Sequence, residues 1–226
     1  MKKIYTVVGA RPQFIKAAAL TKEIYSNYKG LLKEEIIHTG QHFDDNMSAS
    51  FFKELEIKPP KYFLNINKGT HGSNTGRMII EIEKILLKDL PDGIVVYGDT
   101  NTTLAGAIAA SKINIPIFHI EAGLRSFNRN QPEEQNRVLT DHLSDLCFGP
   151  TNQSIKNLIK ESIQKKRIIK SGDIMADTLR IFKEKSNNSN FLLEKFNLKS
   201  KNFILFTLHR QENVENRYKL YEILEG

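Results

Sequence analysis

The segment from Ile94 to Arg125 constrains the fold more than any other part of the chain. It contains an apolar run of strand length, an acidic turn, an Ala- and Leu-rich stretch at helical spacing, and a second apolar run. This order predicts a right-handed βαβ unit with two parallel strands. Asp99 and Glu121 each follow the carboxyl end of a strand, where open α/β sheets bind ligands. We therefore expect two carboxylates to face one crevice.

The rest of the first 172 residues continues the alternation of strands and helices, which predicts an α/β domain with a parallel sheet. Further strands are expected at 3–8, 35–38, 146–149 and 168–170, and helices at about 13–28, 75–87 and 151–162. The Gly-rich segment 69–77 could cradle phosphate, although it lacks the Walker pattern. Two helices are expected to bury an apolar stripe. The first stripe is Met78, Ile79, Ile82, Ile85 and Leu86, and the second, after Pro132, is Val138, Leu139 and Leu143.

A change of composition near residue 184 predicts a second unit. The polar stretch 184–190 is followed by a short helix, an apolar strand at 203–208 and a helix beginning near Asn216. One strand and part of a helix bury too little surface for a core. We therefore divide the chain into an N-terminal α/β domain, 1–172, and a junction with the start of a second domain, 173–226.

Composition argues against several functional classes. The net charge is +7, but the basic residues are spread along the chain, and the densest run, 165–167, is three residues long. A solvated surface explains this pattern better than nucleic-acid binding. No apolar run approaches the roughly 20 residues of a membrane helix, so no membrane association is expected. The single cysteine, Cys147, rules out an internal disulfide framework and fits a reducing cytoplasm.

Other ionisable residues are predicted at the same edge of the sheet. Arg11 and Lys16 lie at the start of the first helix, where backbone N–H groups attract anions. Gln41 and His42 follow the second strand, and Glu133 lies in the first turn of a helix, where acids are ordinary. Zinc, EF-hand, serine-hydrolase and dinucleotide motifs are absent from the sequence. The residues alone predict an anion-binding α/β enzyme with acid–base carboxylates.

Six motifs in order carry a resemblance that covers essentially the whole chain: GARPQFIK, HTGQHFD, GDTNTTLAGAIAA, HIEAGLRS, PEEQNR and TLHRQEN. Together they resemble the non-hydrolysing UDP-N-acetylglucosamine 2-epimerase family. GTHGSNTGR and HTGQHFDDNMS are similar to UDP-2,3-diacetamido-glucuronate 2-epimerases and archaeal 2-epimerases. The resemblance implies two Rossmann-like domains in the GT-B arrangement, a homodimer, and no nicotinamide or metal cofactor. It also implies a role in making precursors of cell-surface polysaccharide, including lipopolysaccharide.

The resemblance implies inversion at C2 of a UDP-sugar. A base takes the C2 proton while UDP leaves C1, and UDP adds back to the glycal after a proton returns on the other face. By motif match, Asp99, Glu121 and Glu133 are the carboxylates of the proton transfers, although which one is the base stays open. His209 is assigned to the same site, beside the nucleotide sugar and its phosphates.

The resemblance assigns substrate binding to a second group of residues. Arg11 and Lys16 match positions tied to the nucleotide sugar, and Arg137 lies in the PEEQNR motif. Gln41 and His42 match a loop linked to a regulatory UDP-sugar site.

Departures from the family pattern leave alternatives open. Ala10 and Gln13 replace the usual Thr and Glu of GTRPE, and Gly172-Asp173-Ile174 replaces the usual GNT. The family's Ser-Gly-Gly phosphate loop falls beyond the last residue, so this chain alone is expected to bind UDP poorly and turn over little. The alternatives are a hydrolysing 2-epimerase that releases UDP and N-acetylmannosamine, a GT-B glycosyltransferase, and an inactive remnant that only binds nucleotide sugar.

Overall fold

The computed structural model describes residues 1–41, 52, 54–187, 191–199, 201–208, 211–214 and 216–225, with main chain only at 184–187 and 211–212. The chain forms two compact units, Met1–Phe182 and Lys183–Gly226. Whether 173–226 are the junction and start of a second, UDP-binding domain stays a prediction. Among the described residues, no helix is both long and apolar enough to cross a membrane.

Seven strands of the first unit form one sheet in which every neighbouring pair is parallel. The strands in chain order are β1 (Lys2–Val8), β2 (Leu32–His38), β3 (Tyr62–Phe63), β4 (Gly93–Tyr97), β5 (Ile117–Ile120), β6 (Leu146–Gly149) and β7 (Ile168–Lys170). Their spatial order is β3-β2-β1-β4-β5-β6-β7. The predicted parallel α/β sheet is therefore confirmed.

The helices connect the strands as the alternation predicts. Those described in the structure are α1 (Arg11–Asn27), α2 (His71–Lys88), α3 (Asn101–Lys112), α4 (Pro132–Leu143), α5 (Asn152–Lys160), α6 (Ile174–Asn187), α7 (Phe191–Lys195), α8 (Gln211–Val214) and α9 (Arg217–Glu225). The strand order reverses direction between β1 and β4, because the chain moves outward to β2 on one side and to β5 on the other. Ligands of open α/β sheets bind at this switch point, outside the carboxyl ends of the strands.

Apolar residues cover both faces of the sheet. Tyr5 and Val7 of β1 point into one core, and Ile4 and Val8 point into the other, as the alternation of side chains along a strand requires. The stripe predicted for α2 is confirmed. Met78, Ile82, Ile85 and Leu86 are buried, and the partly buried Ile79 packs against the same core.

Three local predictions were wrong. The helix predicted to begin at Thr75 begins at His71, within the Gly-rich segment, and the Thr70 side chain caps it by accepting a hydrogen bond from Ser73 N. Glycine in a helix costs about 0.5–1 kcal/mol, which the packing of the apolar stripe outweighs. The strand predicted at 203–208 does not form, because the described part of the second unit offers it no partner strand.

The third error concerns α4, whose predicted stripe is largely exposed. Leu139 is 51% exposed and Leu143 is 36% exposed. The helix buries a polar set instead: Glu134, Asn136, Thr140 and Asp141. The reason lies at the carboxyl edge of the sheet, where Glu134, Asn136 and Asp141 hold two loops.

Candidate functional site

Three loops meet at the carboxyl ends of β1, β4 and β5, on either side of the switch point. The first leads from β1 into α1, whose first residue is Arg11. The second follows β4 and carries Asp99, and the third follows β5 and carries Glu121. The predicted convergence of Asp99 and Glu121 is supported by one contact. A Cβ built on Gly98 would lie 3.3 Å from Glu121 Oε2, so the Glu121 carboxylate reaches the main chain just before Asp99.

Asp99 forms an ion pair with a cation of helix α4. Its Oδ2 is paired with Arg137 Nη2, and the Asp99 side chain is 33% exposed, so it stays open to a ligand. The main-chain carbonyl of Asp99 accepts a hydrogen bond of 2.9 Å from Asn136 Nδ2. Helix α4 therefore holds both the side chain and the peptide of this residue.

Glu121 forms a separate ion pair with Lys16 of α1. Lys16 is 9% exposed and therefore largely withdrawn from water. Glu121 has φ = +74°, a backbone conformation that residues with a Cβ rarely adopt, and such strain is typical of functional sites. Asp99 and Glu121 thus each have their own cation, and the sequence had indicated neither pairing.

The acid next to Glu133 has a structural role. Glu134 is buried, and its carboxylate accepts hydrogen bonds of 2.9 Å from both Ser126 N and Phe127 N and pairs with Arg137 Nη1 at 3.0 Å. Burial alone would raise the pKa of Glu134, but these hydrogen bonds outweigh it and hold the pKa below its usual value. Glu133 is exposed in the first turn of α4.

Replacing Glu134 by Gln should destabilise the protein in a pH-dependent way. A depressed folded-state pKa contributes stability above the unfolded pKa of about 4.3, and that stability is lost as the pH falls through the folded value. We expect a loss of about 1–3 kcal/mol at neutral pH that narrows below about pH 4. Urea unfolding across this range measures it, with the exposed Glu133→Gln as control, expected to stay within about 0.5 kcal/mol. An equal loss at all pH values would contradict the role of the charge.

Each of the three main-chain carbonyls of residues 97–99 contacts a polar side chain. Gln13 Nε2 donates to Tyr97 O at 3.0 Å, while its Oε1 accepts from Gly9 N and Ala10 N. Gln13 is buried, so its amide joins the β1 loop to the β4 loop through both of its ends. A carboxylate at position 13 would lack the donor to Tyr97 O. This contact gives a physical reason for Gln at position 13, where the family pattern has Glu.

A buried charged network lies behind the β4 and β5 loops. His119 of β5 contacts Asp141 of α4 and the carbonyl of Gly98. Asp141 also pairs with Arg125, which in turn pairs with Glu161. These residues were not predicted as part of the site. The available signal was a histidine inside an otherwise apolar strand, because a buried polar side chain needs partners.

The remaining predicted residues are distributed as follows. Arg11 is exposed at the first position of α1. Gln41 Oε1 accepts hydrogen bonds from Thr102 N at 3.0 Å and Thr102 Oγ1 at 2.8 Å, so it caps the start of α3. His42 and His209 lie outside the described residues. Within the described residues, no group of three or more His, Cys, Asp or Glu side chains is arranged to hold a metal ion.

Comparison with known proteins gives a family match over most of the chain. Residues 26–226 match the family model described as UDP-N-acetylglucosamine 2-epimerase. The chain is 50% identical over 226 residues to a UDP-2,3-diacetamido-2,3-dideoxy-D-glucuronate 2-epimerase of Pseudomonas aeruginosa, covering 99% of this chain and 62% of that protein. It is 51% identical over 225 residues to a UDP-N-acetylglucosamine 2-epimerase homolog of Methanococcus maripaludis, with the same coverage.

A solved structure extends the match to the fold. The crystal structure of Methanocaldococcus jannaschii UDP-GlcNAc 2-epimerase in complex with UDP-GlcNAc and UDP has a TM-score of 0.90 and 46% identity, covering 99% of this chain and 61% of that one. The predicted Rossmann-like fold of the GT-B type is confirmed. The chain spans about three fifths of the length of these relatives.

Proposed function

The chain belongs to the UDP-N-acetylglucosamine 2-epimerase family, and on that premise we propose that the protein inverts C2 of a UDP-N-acetylhexosamine. The substrate is UDP-N-acetylglucosamine, converted to UDP-N-acetylmannosamine, or its 2,3-diacetamido-glucuronate analogue. The names of the relatives at 50% and 51% identity support both substrates. Either product is a precursor for cell-surface polysaccharide.

The proposed reaction is elimination of UDP followed by its re-addition. A base removes the proton from C2, the C2–H electrons form the C1–C2 double bond, and the C1–O bond breaks with its electron pair leaving on UDP. A proton then returns to the opposite face of C2 as UDP adds back at C1. No atom is gained or lost, so the net change is the configuration of C2. The reaction needs one group on each face of the sugar that exchanges a proton near neutral pH.

The observation that carries the proposal is the two separate carboxylate–cation pairs at the switch point, Asp99 with Arg137 and Glu121 with Lys16. Two unpaired carboxylates would repel a diphosphate. Arg137 and Lys16 offset this negative charge, so that both carboxylates can face the substrate in one crevice. We assign proton transfer to Asp99 and Glu121. The motif match adds Glu133 and His209 to the reacting site.

Substrate binding is assigned to the remaining predicted residues. Arg11 lies at the N-terminus of a 17-residue helix, whose dipole attracts phosphate. Lys16 and Arg137 supply positive charge beside it, and the motif match adds Gln41 and His42. Because Lys16 is also the partner of Glu121, a phosphate that binds Lys16 would compete with the Glu121 carboxylate for this cation.

Deuterium incorporation at C2 tests the proposed function. Residues 1–226 are joined to the remaining C-terminal residues of the Pseudomonas aeruginosa relative, and the chimera and the chain alone are each incubated with UDP-N-acetylglucosamine, or with the diacetamido-glucuronate substrate, in heavy water. Proton NMR is expected to show loss of the C2 proton signal and formation of the C2 epimer still bound to UDP. Absence of both from the chimera with both substrates would overturn the proposal. Release of UDP with free N-acetylmannosamine would favour the hydrolysing alternative.

We also propose that the protein acts as a homodimer. Ile80 and Leu87 of α2 and Leu90 just beyond it are 52%, 59% and 63% exposed, which leaves apolar surface on the outer side of this helix. Leu87→Glu should therefore shift the mass in solution toward the monomer, measured by light scattering. Leu31→Glu is the matched control, since Leu31 is similarly exposed on the connection before β2. A monomeric wild-type protein would contradict the proposal.

The proposed compartment is the cytoplasm. Cys147 is buried and free, as a reducing compartment allows. Cell fractionation with an epitope-tagged protein tests this assignment.

A further inference from the structure

Both ring nitrogens of His119 contact hydrogen-bond acceptors. Nδ1 lies 2.6 Å from Asp141 Oδ1, and Nε2 lies 2.7 Å from the carbonyl oxygen of Gly98. The His119 side chain is fully buried, so water cannot replace either partner. A carbonyl oxygen can only accept, and a carboxylate can only accept while it is ionised. A neutral imidazole has one N–H and satisfies only one of the two contacts.

The surroundings of Asp141 keep its carboxylate ionised. Asp141 Oδ2 lies 2.7 Å from Arg125 Nη2 and accepts a hydrogen bond of 3.0 Å from Gly123 N. The permanent charge of Arg125 and the N–H of Gly123 favour the ionised form of this buried carboxylate. The proton between Asp141 and His119 therefore resides on the imidazole.

Other ionisable groups lie near this contact. Arg125 of the β5 loop pairs with Asp141, and Glu161 at the end of α5 pairs with Arg125 but is 27% exposed and therefore partly solvated. Cys147 of β6 lies opposite His119 in the sheet, and burial raises the pKa of its thiol to about 12. Lys16 and Glu121, which form an ion pair, lie near Gly98. Asp141 is therefore the carboxylate that contacts His119 without access to water.

We propose that His119 is an imidazolium at neutral pH and acts as a positioning residue that fixes the Gly98 carbonyl and thereby the loop carrying Asp99. Gly98 has φ = +64°, and its N–H donates to Ile120 O at 3.0 Å. Gly98, the residue before Asp99, is thus held by β5 through both its N–H and its carbonyl oxygen. The catalytic consequence rests on the proposed epimerase function, whereas the protonation state of His119 does not.

His38 provides a matched reference in the same chain. It is also fully buried, but its Nδ1 accepts a hydrogen bond of 2.8 Å from Gly40 N and so carries no proton. Burial lowers the pKa of His38 to about 4. Two equally buried histidines are therefore expected in opposite protonation states.

Nitrogen-15 NMR of the histidine-labelled 226-residue chain tests the proposal. At about pH 8, where an ordinary histidine is neutral, both His119 nitrogens are expected to bear protons, while His38 retains one proton on Nε2. The signals are assigned with His119→Gln and His38→Gln. A His119 ring with one proton-free nitrogen at about pH 7 would overturn the proposal, and this measurement needs no enzymatic activity.

A second variant separates the charge from the hydrogen bond. In Asp141→Asn the amide can donate to Nδ1, so the ring becomes neutral while Nε2–H still donates to Gly98 O. One His119 nitrogen should then lose its proton at neutral pH. In the chimera this variant should keep kcat within about threefold of the wild type, because the hydrogen bond to Gly98 O is retained. His119→Phe has no donor at this position and should lower kcat by about 100-fold with KM changed less than about threefold, because misplaced reacting groups slow the chemical step. Unchanged kcat in His119→Phe would overturn the positioning role, while a wild-type chimera without activity would overturn only the proposed function.

Discussion

Replacing Asp99 by Asn is expected to lower the rate of C2 epimerisation by about 10²–10⁴-fold, the usual contribution of a positioned acid or base. Asn has nearly the same shape as Asp but takes up no proton near neutral pH. Arg137 would keep its contact with Glu134 at 3.0 Å, so the helix that supports the site should stay in place. The measurement is the initial rate in the chimera, with circular dichroism as a check on folding.

Exchange of the C2 proton with solvent deuterium shows from which face of the sugar Asp99 acts. If Asp99 and Glu121 act from opposite faces, Asp99→Asn and Glu121→Gln should both lose epimerisation, but each should retain deuterium exchange into a different epimer. The same assay with Glu133→Gln tests the role that the family motif assigns to this exposed residue. Wild-type epimerisation in Asp99→Asn would remove Asp99 from the reacting groups.

The parallel sheet and the positions of Asp99 and Glu121 at its carboxyl edge were predictable because their signals are local. Apolar runs of strand length and Ala-rich helical spacing identified β4, α3 and β5, and topology alone put Asp99 and Glu121 at the same edge. The apolar stripe of α2 followed from helical periodicity in the same way. Each of these patterns lies within one segment of the chain.

The partners of the site residues were not predictable from such patterns. Lys16 and Glu121 are 105 residues apart, and Arg137 and Asp99 are 38 apart, so only the tertiary fold brings them together. The error in α4 has the same origin. Its Leu139 faces outward because the inward face is occupied by polar residues that hold the loops. Hydrophobic periodicity predicts the buried apolar face of a helix, but it does not predict a buried face formed by polar and charged residues.

The buried network behind these loops should be the most sensitive point of the first unit. We expect Asp141→Ala to lower the free energy of unfolding by about 3–5 kcal/mol, the usual cost of removing one partner from a buried ion pair. Arg125, whose side chain is 1% exposed, would then rely on Glu161 for an ionised partner. His119 would lose its partner at Nδ1, and Gly123 N would lose its acceptor. A loss of this size is a large part of the 5–15 kcal/mol that stabilises a typical domain.

Asp177→Ala is the matched control, because Asp177 also pairs with an arginine but does so at the surface. The Asp177 and Arg180 side chains are 52% and 76% exposed, and pairs of this kind contribute at most about 1 kcal/mol. Urea unfolding of the two variants and the wild type, followed by circular dichroism at neutral pH, measures the difference. Since the acid at position 141 holds the imidazolium that fixes the Gly98 carbonyl, its loss should also loosen the loop that carries Asp99. Equal stability of the two variants would show that the buried network contributes no more to the free energy of unfolding than a surface ion pair does. It would also remove the physical basis for the positioning role of the network.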